Sequence, residues 1–301
     1  MTTIDLTGQH PPLSPKPEKQ PPLAMRGLRL AFSKLGPIFP GPFGNLAYRL
    51  WFTPQRKRQS GAERKLLDSA AETYQLNVAK CKVPVYVWGE SGPTILLVHG
   101  WAGRTSQFRE FVQPLVDKGF RVIGFDAPGH GTAEGRTTDL DQIRFIMATI
   151  AANETKIYGV IAHSFGAIST AFAMASGLVA ERVVLVNAAC RYQALVRTFQ
   201  KMLHLPEPVL EKMTAKTRHN FAHWPRDIEA MMDVDRNPPD LPLETLVIHD
   251  HDDPVVSLEQ GELIAKTWPN AQWMTTRGMG HSKILSSKDV VDRVCHFLSS
   301  T

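Results

Sequence analysis

The stretch Tyr158–Ala167, reading Tyr-Gly-Val-Ile-Ala-His-Ser-Phe-Gly-Ala, constrains the fold of this chain more than any other. Residues 157–162 are nearly all apolar without alternation, which suits a parallel strand buried on both faces. The run ends in His163-Ser164 and restarts within one or two residues as a small-residue helical pattern. So tight a reversal brings strand and helix backbones together, and the positions two before and two after Ser164 must therefore be small. They are Ala162 and Gly166. Ser164 is thereby carried to the tip of the turn. This is the physical content of a G-x-S-x-G elbow, with alanine in place of the first glycine. A serine that merely caps a helix is the competing reading of this pentapeptide, and the rest of the chain has to separate the two.

At 301 residues and 43% hydrophobic content, the chain can bury a large core. No run approaches the uncharged apolar length that a membrane-spanning helix needs. The first twenty residues carry four prolines between Pro11 and Pro17 and no apolar segment of the kind a secretory signal has. The expected compartment is the cytoplasm. Cys81, Cys190 and Cys295 are widely spaced, odd in number and without a C-x-x-C, which fits reduced thiols better than a disulfide framework or a zinc site.

The net charge of +5 is unevenly spread: Lys16 to Lys65 hold eleven Lys or Arg against Glu18 and Glu63, a local +9 that leaves −4 for the rest. Such a segment could attract an anionic membrane or a nucleic acid. No nucleic-acid motif accompanies it, so no nucleic-acid partner is expected, and a solvated basic face on an accessory helix accounts for the charge more simply. Peripheral membrane contact through this arm stays open, as does the oligomeric state.

Taken in order, residues 1 to about 22 are proline-rich and read as a mobile or loosely docked arm. Leu23 to Leu35 and Leu46 to Phe52 are short amphipathic patterns, separated by Gly36-Pro37-Ile38-Phe39-Pro40-Gly41-Pro42, which must break any helix. A linking helix is expected near Glu63 to Thr73 and an early strand over Val83 to Gly89. Strands at Thr94–Val98, Val122–Phe125, 157–162 and Arg182–Val186 then alternate with helices at Ser106–Lys118, Asp139–Ala152 and from the elbow to Ser176. That alternation predicts a mostly parallel sheet with right-handed crossovers and helices on both faces. It stops for about fifty residues. Cys190 to Asp240 hold apolar residues at helical spacing, closed by Pro238-Pro239, and read as an inserted helical lobe. A strand at Thr245–His249, a helix at Ser257–Trp268, a strand at Gln272–Thr275 and a closing helix at Ser287–Leu298 complete the sheet. The expected division is thus residues 1–65 as basic arm and accessory helices, and 66–301 as one α/β domain carrying a cap over about 190–240.

In an open parallel sheet, catalytic groups gather at the carboxyl ends of strands. One strand ends in Asp250-His251-Asp252-Asp253-Pro254-Val255, and the last leads to Gly278-Met279-Gly280-His281. A nucleophilic serine needs a base to take its proton, and the base needs a carboxylate to fix its tautomer. Ser164, Asp253 and His281 occur in the order Ser, Asp, His. The interval between the last two leaves room for one helix and one strand that bring both loops to the same edge.

On these motifs the chain resembles the α/β-hydrolase family, specifically its lidded esterase and lipase-like members, over roughly Val83 to Leu298. His99-Gly100-Trp101 is similar to the family's His-Gly oxyanion loop, Asp126-Ala127-Pro128-Gly129-His130-Gly131 to its D-x-x-G-H-G turn, and Asp250-His251-Asp252-Asp253 to its G-x-x-D acid motif. Gly280-His281 is similar to its terminal G-H. Two glycines of the pattern are absent, at Ala162 and Asp250. The family register puts Asp253 ahead of Asp252 as the acid. The resemblance implies an α/β-hydrolase fold and a serine hydrolase that cleaves a small-molecule carboxylic ester through an acyl-enzyme. Ser164 would be the nucleophile, His281 the base, Asp253 its orienting acid, and the backbone N–H groups of Trp101 and Phe165 the oxyanion hole.

This chemistry calls for no cofactor and no metal. A serine at the nucleophile position argues against the epoxide hydrolase and dehalogenase branches, where the resemblance implies aspartate. Thioesterase, acyltransferase, amidase and carbon–carbon hydrolase chemistry use the same triad and stay open. Two further alternatives are a non-catalytic relative that binds a ligand in the same pocket and a membrane-docked protein whose basic arm is the working part. Of the remaining histidines, His163 reads as an elbow-packing residue and His99 and His130 as loop braces. His249 to Asp252 do not suit a metal, since consecutive residues on a strand end cannot all face one ion.

Overall fold

The computed structural model describes residues 3–5, 21–224, 227–239 and 243–300. Its centre is a nine-stranded sheet of β1 (Thr3–Asp5), β2 (Glu72–Val78), β3 (Cys81–Trp88), β4 (Thr94–Val98), β5 (Arg121–Phe125), β6 (Ile157–His163), β7 (Arg182–Val186), β8 (Glu244–Asp250) and β9 (Ala271–Thr276). The spatial order is β1-β9-β8-β7-β6-β4-β5-β3-β2. The β2–β3 and β3–β5 pairings are antiparallel and the others parallel. The helices are α1 (Leu23–Leu35), α2 (Pro40–Trp51), α3 (Gly61–Asp68), α4 (Arg109–Asp117), α5 (Leu140–Asn153), α6 (Phe165–Ala175), α7 (Tyr192–Leu203), α8 (Glu207–Asn220), α9 (Ile228–Met231), α10 (Leu258–Thr267), α11 (Gly280–Lys283) and α12 (Lys288–Ser299).

Side chains alternate across a strand, so a strand covered on both sides must be apolar at every position. In β4, Ile95 and Leu97 join Phe111 and Leu115 of α4 and Val294 and Leu298 of α12 in one core. Leu96 and Val98 face the other way, into a core with Ile146 of α5, Phe172 of α6 and Ile264 of α10. This two-sided burial is why the central strands read as unbroken apolar runs. The sheet order reverses around β4, the place where clefts open beyond strand carboxyl ends.

Between β7 and β8 the chain leaves the sheet for the helical insertion α7 to α9. Its base is tied down by Gln260, whose side-chain oxygen accepts from the N–H groups of Cys190 and Arg191 at 3.2 and 3.1 Å, and by Trp268, whose indole donates to the Val234 carbonyl at 2.9 Å. Trp224 reaches back across α6 onto Phe172, with ring centroids 4.8 Å apart.

Four segments differ from the sequence expectation. Thr3–Asp5 form an edge strand paired parallel with β9 where the sequence reads as a mobile or loosely docked arm; the rest of that arm, residues 6–20, lies outside the described residues. The linking helix is shorter than expected, ending at Asp68, and Glu72 to Val78 turn into β2. Alternating Tyr74, Leu76 and Val78 carry the strand signal, but the hairpin turns through Ala79 and Lys80, both at positive φ and neither a usual residue for it. The expected helix break is present over residues 36–39, but it is shorter than the Gly36–Pro42 segment: Pro40 and Pro42 lie in the first turn of α2, where a missing N–H costs nothing. Finally, α1 and α2 pack onto the insertion. Gly44 allows α2 to cross α8 so closely that a Cβ there would sit 2.5 Å from the Cβ of Lys212. Trp51 meets Phe199 of α7 edge-on at 5.0 Å.

Candidate active site

The carboxyl ends of β4, β6, β8 and β9, which lie on one edge of the sheet, each contribute one part of the candidate site. Ser164, between β6 and α6, has φ 56° and ψ −120°, a conformation that a non-glycine residue adopts only under constraint. The constraint is visible: its N–H donates to Val186 at 3.0 Å, and its carbonyl accepts from Ala167 at 3.0 Å and Ala189 at 3.2 Å. A Cβ on Gly166 would lie 2.4 Å from the Val98 carbonyl oxygen, which is why the second small residue of the elbow is glycine. Gly100 has the same role in the loop after β4. A Cβ there would fall 2.8 Å from Ser164 Cβ, so only glycine lets that loop lie against the serine.

After β8, Asp253 is turned fully inward. Its Oδ1 accepts from the N–H groups of Val255 at 2.7 Å and Val256 at 3.0 Å, and its Oδ2 lies 2.7 Å from His281 Nδ1. Burial pushes the Asp253 carboxyl up, but the hydrogen bond and charge of His281 and the two backbone donors outweigh it and hold the group below its ordinary value. An ionised carboxylate only accepts, so His281 Nδ1 must carry a proton, and in the neutral ring the lone pair is then on Nε2. That is the tautomer a base needs. Ser164 keeps 8% exposure and the His281 side chain 16%, whereas the Asp253 side chain has none. The candidate nucleophile and base are thus approachable, while the candidate acid is sealed from solvent. Asp252, the other candidate acid, is occupied elsewhere: its Oδ2 accepts from Gly278 N–H at 3.0 Å.

Three residues that sequence reasoning did not assign to the site hold the histidine loop. His163 Nε2 donates to the His281 carbonyl at 2.8 Å, with the two rings 4.8 Å apart. Asn187, just past β7, donates to the carbonyls of Gly280 and His281, both at 3.2 Å, and accepts from Asp250 N–H at 2.9 Å. Asp250 is fully buried and accepts from Gly280 N–H at 2.9 Å, Met279 N–H at 3.2 Å, the Thr276 hydroxyl at 2.7 Å and Asp252 N–H at 3.0 Å. The residue standing where the family pattern has glycine is therefore a clamp joining acid loop to base loop. Exchanging Asp250 for asparagine presents an amide group to donors, leaving buried N–H groups unpaired at about 1–3 kcal/mol each. We expect Asp250→Asn to lower Tm by several degrees and kcat with it, KM changing less. An unchanged melting curve and kcat would remove the clamp.

Four buried histidines, His99, His130, His163 and His249, are braces held below their ordinary pKa by burial. Burial first, and the neighbouring His281 second, push His163 down to about 3. Burial and His99 push His130 down to about 3 as well. His99 accepts from Ala127 N–H at 3.1 Å and joins the loop after β4 to the turn after β5. In that turn Asp126 accepts from the N–H groups of Thr105 and Thr132, both at 2.8 Å, and a Cβ on Gly131 would collide with its carboxylate. His249 Nε2 faces the Val256 carbonyl at 3.0 Å, so the His249–Asp252 run points in separate directions. Trp101 stands on Phe165, edge to face at 5.6 Å, and on His130 at 5.4 Å. A cleft of about 240 Å³ lies between α7 and the acid loop, with Leu195, Thr198, Asp253, Val256 and Gln260 in its walls; Ser164 and His281 are not among them.

The fold and sequence have counterparts among known proteins. A profile described as "Alpha/beta hydrolase family" matches residues 95–293. A "Serine hydrolase-like protein" of Danio rerio is 29% identical over 103 residues, covering 32% of this chain and 31% of its own length. A "Pimeloyl-[acyl-carrier protein] methyl ester esterase" of Stenotrophomonas maltophilia is 41% identical over 61 residues, 20% of this chain and 23% of its own. The matched segments thus span a third or less of these two relatives. Among solved structures, a bromoperoxidase from Bacillus anthracis superposes with a TM-score of 0.60 at 17% identity, covering 76% of this chain and all of that one, a likeness of fold alone. With the profile spanning two thirds of the sequence, the chain belongs to the alpha/beta hydrolase family.

Proposed function

We propose that this protein is a serine hydrolase that cleaves small carboxylic esters through an acyl-enzyme. The observation that carries the reading is the 2.7 Å contact between His281 Nδ1 and Asp253 Oδ2 on a loop tied directly to the Ser164 elbow. In the first half-reaction the Ser164 hydroxyl oxygen bonds to the ester carbonyl carbon as His281 Nε2 takes the hydroxyl proton. The C–O bond to the alcohol then breaks, and His281 returns that proton to the departing alkoxide. In the second half, water attacks the acyl carbon with the same base, releasing the acid and restoring Ser164. Asp253 holds the ring and stabilises the imidazolium. The developing oxyanion would be held by the N–H groups of Trp101 and Phe165. Phe165 opens α6, so its N–H has no acceptor within the helix. Gly100 lets the loop that carries Trp101 lie against Ser164, which supports this reading.

In this reading residues 66–301 are the catalytic domain, the insertion over about 190–240 is its lid, and residues 1–65 are an accessory arm. The identity of the acyl group follows from the lid, whose side chains complete the pocket. A series of p-nitrophenyl esters of increasing chain length, run beside an acyl thioester, tests the proposal. We expect turnover of at least one ester, with a maximum in the series. Turnover of the thioester alone would move the assignment to a thioesterase, and hydrolysis of neither would argue for a ligand-binding relative.

A further inference from the structure

We propose that the corner formed by α1 and α2 is a docking surface for an anionic membrane. Six of the ten exposed large apolar side chains among the described residues fall between Leu23 and Leu46: Leu23, Leu30, Leu35, Ile38, Phe39 and Leu46. They are not scattered. On α1, Leu23, Gly27, Leu30 and Lys34 follow at steps of three and four, so they share a face, opposite the buried Phe32. Phe39, the cap of α2, and Pro42, Leu46 and Arg49 within it follow at the same spacing, while Gly44 and Ala47 are buried, Gly44 against Lys212 of the insertion. Ile38, 65% exposed, and Phe39, 53% exposed, form the tip between the two stripes.

The burial of the opposite faces shows what this arrangement leaves over. Both helices already have an apolar face spent on the protein, through Phe32, Phe43, Ala47 and Trp51. The outward apolar stripes are an addition to that, and a helix packed on its own domain does not need them. Charge selects the occupant. No Asp or Glu occurs between Glu18 and Glu63, and Arg26, Lys34 and Arg49 stand exposed beside the apolar side chains. Leu and Phe at a tip with Lys and Arg around it is the chemistry of a helix lying in the interface of an anionic bilayer, with apolar groups below the headgroups and cations among them. No helix of the described residues is long and apolar enough to cross a membrane, so the contact is with one surface. A second copy of the chain, carrying the same basic rim, would be repelled.

The full chain is tested by co-sedimentation with phosphatidylcholine vesicles, with and without phosphatidylglycerol. We expect binding that requires the anionic lipid, weakens as salt is raised, and is not displaced by soluble glycerol phosphate. The double variant Ile38→Glu, Phe39→Glu should bind at least about tenfold more weakly, since both apolar anchors of the tip are lost. Arg26→Gln with Lys34→Gln should weaken binding by about fivefold per charge and flatten the salt dependence. All four side chains are exposed, so melting curves and Ser164-dependent fluorophosphonate labelling should match wild type. Absence of wild-type binding, or equal binding by the Ile38, Phe39 variant, would overturn the proposal. A wild-type dimer by light scattering that this variant splits would instead assign the corner to a second copy. Vesicle binding is read without turnover, so its failure is distinct from failure of the hydrolase reading.

Discussion

Ser164→Ala and His281→Ala should each lower ester turnover by about 10⁶-fold, and the double variant should be scarcely worse, because members of a triad act as a unit. The serine alone, without a group to take its proton, is an ordinary hydroxyl; the imidazole alone has nothing to activate. Asp253→Asn should cost less, about 10⁴-fold. The amide can turn its NH2 toward His281 Nδ1, which drives the proton to Nε2 and removes the lone pair that a base needs. Asp252→Asn should stay within about tenfold of wild type, since that side chain accepts from Gly278 N–H and the partner of His281 Nδ1 is Asp253. Steady-state rates on the best p-nitrophenyl ester decide the matter. A near-normal rate in Asp253→Asn with a large loss in Asp252→Asn would move the acid by one residue.

Asp253 also makes folding sensitive to acid. Its folded-state carboxyl titrates below its ordinary value, so the stability it contributes is fully present above the unfolded-chain pKa. That contribution disappears as pH falls through the lower, folded value. Neutral solution lies above both, so Asp253 is ionised and can stabilise the imidazolium whenever His281 takes up a proton in the proposed reaction.

Much of this arrangement is legible in the sequence because its signals are local and steric. The elbow is legible because a strand and a helix cannot meet at a point without small residues on each side, and Ala162 and Gly166 satisfy that within five positions. The central strands are legible because two-sided burial demands apolar residues throughout. What could not be read depends on contacts between distant segments. Asn187 looks like a loop residue after a strand; only the approach of β8 and the loop after β9 makes it a three-way tie. Asp250 looks like a lost glycine, and its function appears only when the 276–280 backbone is folded over it. Thr3–Asp5 are too short for any periodicity, and their strand exists because β9 offers an edge. β2 was hidden by its turn, Ala79-Lys80, which holds positive φ without the residues that normally announce it. The packing of α1 and α2 on the insertion was likewise beyond reach, since an amphipathic stripe records that a face is buried and not what buries it.

A fluorophosphonate should label the folded protein once, on the peptide that contains Ser164, and should leave heat-unfolded protein unlabelled. The expectation separates the two readings of the elbow. A serine that only caps a helix has an unactivated hydroxyl, indistinguishable from the other serines of the chain, and would be ignored. The Ser164 side chain does not cap α6: no hydrogen bond from the helix start to its hydroxyl accompanies the turn, and the backbone at φ 56° is held by Val186, Ala167 and Ala189 instead. Strain kept at a cost of about 1–3 kcal/mol persists where it positions a working group. With His281 in place, the hydroxyl oxygen attacks phosphorus, fluoride leaves, and the proton passes to the imidazole, giving a stable phosphonyl ester. His281→Ala should therefore label far more slowly although Ser164 is intact, and Gly100→Val should also label poorly, because its side chain would occupy the space against Ser164 Cβ. Mass spectrometry of the digest gives the site. Labelling at another serine, or none by a protein that melts normally, would displace the hydrolase in favour of a relative that keeps the fold and binds without turnover.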